Sequence, residues 1–451
     1  MLLIRLNLFL LMALAACSVA CRSAHSQPQP NWTIGFWFWQ QPYTRSAPSS
    51  MRSNVLFVHV GTLFDGSRGG TEVSAAPDIY AELPSDLPAA EEYWLVFRFE
   101  EQRVPRATAV PALQRSVAKL LQTAQRRNLR VRGIQLDIDS PTGSLYQYAS
   151  FLRVVKAGLP PGCELSITAL LDWFRPNTAI KDVIDEVDEF VSQFYDVAQG
   201  RFPRGAIGAK VDVKKWGPNF NRFEKRFRIG ISTFGRARFI AVSPSSSRDI
   251  FYRDPTPADL GRLPDFALQA GRNDAGEVVL DYRAIRETAV SYVRFQPGDT
   301  IQFVLPTPES VRLAVESARQ IGGYNAGVVF FRWPLPAETL VMPPDETIAA
   351  ANGHFQEKAA TIEQIDAKCA SVTCTDLYLV NANRLAPVTL HFRVESSLDL
   401  EYFLPQKPLP VRMTGSRRLE LSLPPYGGQI RLYLGRAVTM QPAKFEVVEP
   451  R

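Results

Sequence analysis

Two hydrophobic rhythms alternate along the first three quarters of the chain. Short apolar runs at Thr33–Phe38, Val55–Val60, Tyr93–Phe99, Val131–Asp139, Leu165–Leu171, Phe190–Tyr195, Arg228–Phe234 and Gly327–Arg332 read as eight strands. Between them, apolar residues recur every three or four positions, the spacing of one helix face. Leu113, Val117, Leu120, Leu121 and Ala124 form one such stripe, and Asn128 offers it a stop. Tyr148, Phe151, Leu152 and Val155 form a second; Val311, Ala314, Val315 and Ala318 form a third, after the start signal Thr307-Pro308-Glu309. Strands alternating with helices predict a (β/α)8 TIM barrel over residues 32–345. No Gly-rich phosphate fingerprint follows the first strand, which disfavours an open dinucleotide-binding sheet. The long interval Gly235–Ala326 leaves room for a small insertion around Val278–Phe303. After a helical linker over 346–371, with its helix from Glu357 to Lys368, the rhythm changes. LYLVNAN, VTLHFRVE, LDLEYFL, RRLELSL and QIRLYLG alternate with period two and have no helix between them, so 372–451 is expected to be a small all-β, sandwich-like domain.

The stretch VRGIQLDIDS, Val131–Ser140, breaks the apolar rule on one side only. Residues two apart in a strand point the same way, so Gln135, Asp137 and Asp139 share a face while Ile134, Leu136 and Ile138 share the other. In a barrel the apolar set packs under the helices, and the polar set climbs the interior to the C-terminal rim, where barrel active sites lie. Two carboxylates about 7 Å apart are costly to bury unless hydrogen-bonded, or unless one keeps its proton. Desolvation and mutual repulsion both raise one pKa, which makes a proton donor. The plainer alternative is a solvated strand end, or an acidic pair that only caps loops.

Composition narrows the classes. At 451 residues, 46% hydrophobic and 21% charged, the chain has material for a sizeable core. A net charge of +6 without a dense Lys/Arg block does not suggest a nucleic-acid partner. Arg5 precedes the apolar run LNLFLLMALAAC, too short to span a bilayer and suited to a signal core. Leu14-Ala15-Ala16-Cys17 resembles a bacterial lipoprotein signal; Cys21 is a poorer match. The expected organisation is a signal region at 1–21 and a tether at 22–31, with a lipid on Cys17 anchoring the protein to a membrane. Ser18 after Cys17 favours the outer membrane, and hence a cell-envelope location. Export permits disulfides, with Cys369 and Cys374 as candidates; Cys163 is expected to be an inert thiol. No metal site and no organic cofactor can be read, and neither GxSxG nor HExxH occurs.

RGIQLDID resembles the fourth-strand signature DGxDxDxE of family 18 glycoside hydrolases, the chitinase family. Gly133 takes the place of its Gly, Asp137 that of the carboxylate orienting the substrate's acetamido group, and Asp139 that of the general-acid Glu. VDEFVSQFYD, FRIGISTFGR, LSITALLDWF and TPESVRLAVESARQIGGYNAGVVFFRW resemble other barrel segments of that family, in order, over roughly residues 30–340. The chain is still more similar to domain-of-unknown-function family 3142, whose members share the GIQxDxD and LSITALxDW stretches and are often exported. The first resemblance implies glycosidic-bond hydrolysis in an envelope or extracellular polysaccharide or oligosaccharide. Asp139 would then be the acid and Asp137 the orienting or charge-stabilising group. It implies substrate contacts from Tyr195 and Asp196 and a place near the site floor for Trp333; Gln135, Asp172, Trp173 and Gln193 are further candidate contacts, with Asp172 equally able to cap the next helix. Trp37, Trp39, Tyr43 and Trp216 are further aromatic rings able to stack on sugars. His59 is either an interior proton carrier or a core histidine. Arg132, Gln135 and Asp139 depart from the signature, where the family has Asp, Asp and Glu, and Gln193 and Phe234 stand for a Met and a Tyr. Those departures favour a non-catalytic carbohydrate-binding lipoprotein as the alternative, with an envelope scaffold acting through the β-domain as a third.

Overall fold

The computed structural model describes residues 31–39, 52–68, 71–72, 77–194, 211–243, 248–250, 255–261, 263–335, 338, 340–356, 359–381, 385–386, 390–406, 411–423, 426–427 and 430–448. Eight parallel strands close on themselves. They are β1 (Thr33–Phe38), β2 (Ser53–Phe64), β3 (Ala90–Phe99), β4 (Val131–Ile138), β5 (Glu164–Ala169), β6 (Glu189–Gln193), β7 (Arg226–Ser232) and β8 (Asn325–Phe331). Each pairs with its successor, and β1 pairs with both β8 and β2, which closes the barrel. All eight expected strands are present in the expected order. The helices α1 (Val110–Arg126), α2 (Leu145–Ala157), α3 (Ile180–Asp185), α4 (Val213–Asn221) and α5 (Pro308–Ile321) follow β3, β4, β5, β6 and the insertion. Thr307 caps α5 by accepting from the Ser310 N–H, with Pro308 at the first helical position.

Strand alternation sorts the side chains into two populations. Outward residues such as Phe36, Val58, Leu95, Ile134, Leu136, Ile138, Ile167 and Phe190 pack with the inner helix faces in one large core. The barrel interior is layered. At the N-terminal floor, Arg132 pairs with Glu92 and Glu164, Arg226 with Glu164 and Glu189, and Arg228 with Glu189 at 2.9 Å. Glu189 is fully buried. Burial alone would raise its carboxyl, but Arg228 and Arg226 outweigh that and hold it below the usual range. Arg132, which occupies the first Asp position of the chitinase signature, is therefore a floor residue. Above the floor Trp37, Phe57, Trp94, Val96, Val191 and Val329 fill the interior, with Phe57 and Trp94 stacked at 5.8 Å. The polar face of β4 rises through this plug to the C-terminal mouth.

Two parts differ from expectation. The insertion is larger than the Val278–Phe303 window. Arg236–Ile240, Arg248–Ile250, Phe266–Arg272, Val278–Ala284 and Thr300–Leu305 form a five-stranded antiparallel sheet with its own core. Its first strand starts four residues after β7 ends and gains its partner, Thr300–Leu305, only in three dimensions. The helix expected from Glu357 to Lys368 is also absent: Pro344–Ala351 is helical, but Thr361–Ala367 is a strand. That strand forms a hairpin with Thr373–Asn381, and a Cys369–Cys374 disulfide closes the turn. Tertiary pairing overrides the helical preference of TIEQIDAK. Beyond it, two four-stranded antiparallel sheets enclose a core of Leu377, Leu379, Val394, Phe403, Leu419, Leu421 and Leu434, the sandwich read from the sequence. Among the described residues no helix is long and apolar enough to cross a membrane.

Candidate functional site

The mouth of the barrel gathers charge around one guanidinium. Arg98 lies inward on β3, two residues beyond Val96, and the β3–β4 register sets it opposite Asp137. Its Nη1 donates to Asp137 Oδ2 at 2.7 Å and its Nη2 to Asp139 Oδ2 at 2.9 Å. Thr168 Oγ1 on β5 donates to Asp137 Oδ1 at 2.7 Å, and Gln193 Nε2 on β6 approaches the same oxygen at 3.4 Å. Four adjacent strands thus converge on two carboxylates. Both oxygens of Asp137 are engaged, so its orientation is fixed. Asp139 differs: only Oδ2 is bonded among the described residues, and its side chain is 26% exposed. Burial, and then the neighbouring Asp137 carboxylate, raise the Asp139 pKa; Arg98 opposes them without cancelling the rise.

Aromatic rings border this cluster. Trp39 stacks on His59 at 4.4 Å and meets Phe331 at 6.1 Å, and all three are partly exposed. Burial, followed by the charge of Arg98, pushes the His59 imidazole down to about 4, so it is neutral at neutral pH and unsuited to shuttling protons there. Behind the mouth, Asp65 accepts from both terminal nitrogens of Arg103, from the Arg106 N–H and from the Ser67 hydroxyl and N–H. This pins the chain leaving β2 to the chain leaving β3.

Several proposed ligand contacts lie elsewhere. Gln135 is fully buried one pleat below Asp137, accepting from Trp37 Nε1 at 2.8 Å and donating to Ser166 Oγ at 3.1 Å, so it braces the site from beneath. Trp173 is fully buried beside Tyr148 and donates to the Ser140 carbonyl at 2.9 Å, holding the turn after β4. Trp333 is fully buried edge-on to Phe36, and Phe331 takes the inward place at the mouth. Neither tryptophan offers a ring face to a ligand. Asp172 points to solvent and pairs with Arg175 at 2.7 Å, because the chain turns into a short 3-10 helix at Leu171–Phe174 instead of continuing β5. Trp37 fills the interior and Trp216 packs on Phe220 and Phe194. Tyr43, Tyr195, Asp196, Cys17 and Cys21 lie outside the described residues. Cys163 is half-buried and unpaired, its thiol pushed up to about 11 by burial. No cluster of His, Cys, Asp and Glu suited to a metal occurs among the described residues.

Sequence reasoning missed Arg98 and Thr168. Each had a faint signal: Arg98 breaks YWLVFRF at an inward position, and Thr168 alternates with Leu165, Ile167 and Ala169 on β5. Their convergence on Asp137 depends on strand register, which no single strand encodes.

Residues 94–252 match the family model of DUF3142, a domain of unknown function. The matched segment runs from β3 through β7 into the first strands of the insertion, and it contains Arg98, Asp137, Asp139, Thr168 and Gln193. No curated protein sequence matches the chain. Among solved structures, the chain is similar to the Bacillus cereus spore cortex-lytic enzyme SleL, with 14% identity, a TM-score of 0.44, and 73% of this chain and 76% of that one covered. A chitinase from Chromobacterium violaceum gives 13% identity and a TM-score of 0.44 over 72% of this chain and all of that one. The chitinase ChiW from a Paenibacillus species gives 11% and 0.47, covering 92% of this chain and 54% of that one. At these values no activity follows from the likeness.

Proposed function

We propose that the barrel mouth binds a saccharide chain and that Asp139 donates a proton to a glycosidic oxygen there as the bond from that oxygen to the anomeric carbon breaks, with water supplying the hydroxyl that the anomeric carbon gains. One observation carries this reading: a carboxyl with a raised pKa keeps one oxygen unbonded among the described residues at the C-terminal mouth, beside a second carboxylate locked by three donors. Burial keeps the acid protonated to higher pH than an ordinary aspartic acid, and the free oxygen is where the proton would leave. Asp137, with both oxygens engaged, suits orienting the sugar or stabilising positive charge at the anomeric carbon better than direct attack. Trp39 and Phe331 are partly exposed beside the cluster, and aromatic surface there suits the apolar side of a sugar.

A reducing-end release screen on amino-sugar and neutral polysaccharides tests this, with Asp139→Asn beside wild type. Release by wild type, falling at least about a hundredfold in the variant, is the expected result. Equal release by both removes Asp139 from the role. The Arg98–Asp139 ion pair favours a second reading, a non-catalytic saccharide receptor, because the guanidinium favours the ionised carboxylate, which has no proton to give. That reading predicts saturable binding of the same polymers with no new reducing ends.

We further propose that the protein is exported and anchored by a lipid on Cys17. The LAAC pattern supports this, and the Cys369–Cys374 disulfide suits an oxidising compartment. Cys17→Ala should move the full-length protein from the membrane fraction to the soluble one; unchanged fractionation would refute the anchor.

A further inference from the structure

Outside the mouth, a groove of about 570 Å³ lies between the chain leaving β3 and the outer face of α2. That is ligand-pocket size. Val104, Pro105, Tyr146, Gln147, Ser150 and Phe151 line it, and among the described residues no charged side chain does. Pro105 and Phe151 are buried and make an apolar base, whereas Tyr146 stands 68% exposed at the edge. Tyr146 and Ser150 share a helix face at i, i+4, with the Gln147 amide beside them. An exposed aromatic ring, hydroxyl and amide groups and an uncharged lining match a neutral sugar chain, with its apolar ring faces and hydroxyl edges. They match neither an acidic polysaccharide nor a basic peptide.

The position links this groove to the site. Val104 lies six residues after Arg98, and Ser144, also in the lining, five residues after Asp139. Five extended residues reach at most about 18 Å, so one end of the groove is a few sugar rings from the carboxylates. Both walls spring from the strands that carry the site.

We propose that this groove is a distal subsite for an uncharged stretch of the same glycan, making the protein's ligand a polymer rather than a mono- or disaccharide. This rests on the saccharide reading of the barrel mouth. The test is calorimetric titration of the full chain carrying Asp139→Asn with two probes, the β-1,4-linked hexamer and dimer of N-acetylglucosamine. Tyr146→Ala, or Ser150→Trp to fill the groove, should weaken hexamer binding about tenfold and leave the dimer unchanged. Equal effects on both probes, or none on the hexamer, would overturn the subsite while leaving the mouth intact. Binding of neither probe would remove both readings for this sugar. A change of sedimentation coefficient on Tyr146→Ala would instead make the groove a contact between protein copies, which also overturns the proposal.

Discussion

Arg98 holds the two acids of the mouth in one geometry, and its removal separates two effects that coincide in the wild type. It fixes Asp139 Oδ2 and lowers a pKa that burial and Asp137 raise. In the proposed acid role Asp139 acts in its protonated form, so glycan release should fall as pH rises through this raised value. Arg98→Gln should move that falling limb, and the Asp139 carboxyl titration followed by carbon NMR, to higher pH, whereas Arg98→Lys should restore part of the difference. An unmoved Asp139 titration in Arg98→Gln would show that the ion pair does not form in solution. An arginine inside an apolar strand is visible in YWLVFRF, yet its meaning is not. Only the register that sets it across from Asp137 turns a polar interruption into a clamp.

At the scale of elements, the strands do two jobs at their two ends. Their C-terminal ends present the clamp, and their first residues build the ionic floor of Glu92, Arg132, Glu164, Glu189, Arg226 and Arg228. Glu189, flanked by two arginines and wholly buried, is the floor's central acid. Glu189→Gln leaves buried Arg228 without its charge partner and should cost about 3–5 kcal/mol, the range for breaking a buried pair. Denaturant titration measures the loss, and saccharide binding at the opposite end should persist if the barrel remains folded. A loss below about 1 kcal/mol would place the pair in the class of exposed ion pairs.

Across the whole molecule, the barrel, the inserted sheet and the C-terminal sandwich each have a hydrophobic core of their own. The sandwich should therefore unfold in a transition separable from the barrel's by calorimetry. The disulfide tests the assignment, since Cys369 and Cys374 close a loop only five residues apart in sequence. Replacing both by Ser should cost about 2 kcal/mol, from the entropy of a short loop, and should lower the sandwich transition alone. A shift of both transitions together would mean that the two parts unfold as one cooperative unit.

What the sequence determined by itself is periodic. Period-two and period-3.6 patterns name eight strands, the helices α1, α2 and α5, the polar face of β4 and the all-β end of the chain, because each depends on residues within a few positions of one another. Tertiary structure decided the rest. Gln135, Asp137 and Asp139 share a face in the sequence, but depth in the barrel makes Gln135 a buried brace and leaves Asp139 partly exposed, with only Oδ2 bonded among the described residues. Trp173 and Trp333 look like sugar platforms beside strand ends until packing buries both. TIEQIDAK has helical composition and still becomes a strand, since its pairing partner supplies what its own propensity does not. Register, depth and pairing are relations between segments far apart in the chain, and a single strand carries none of them.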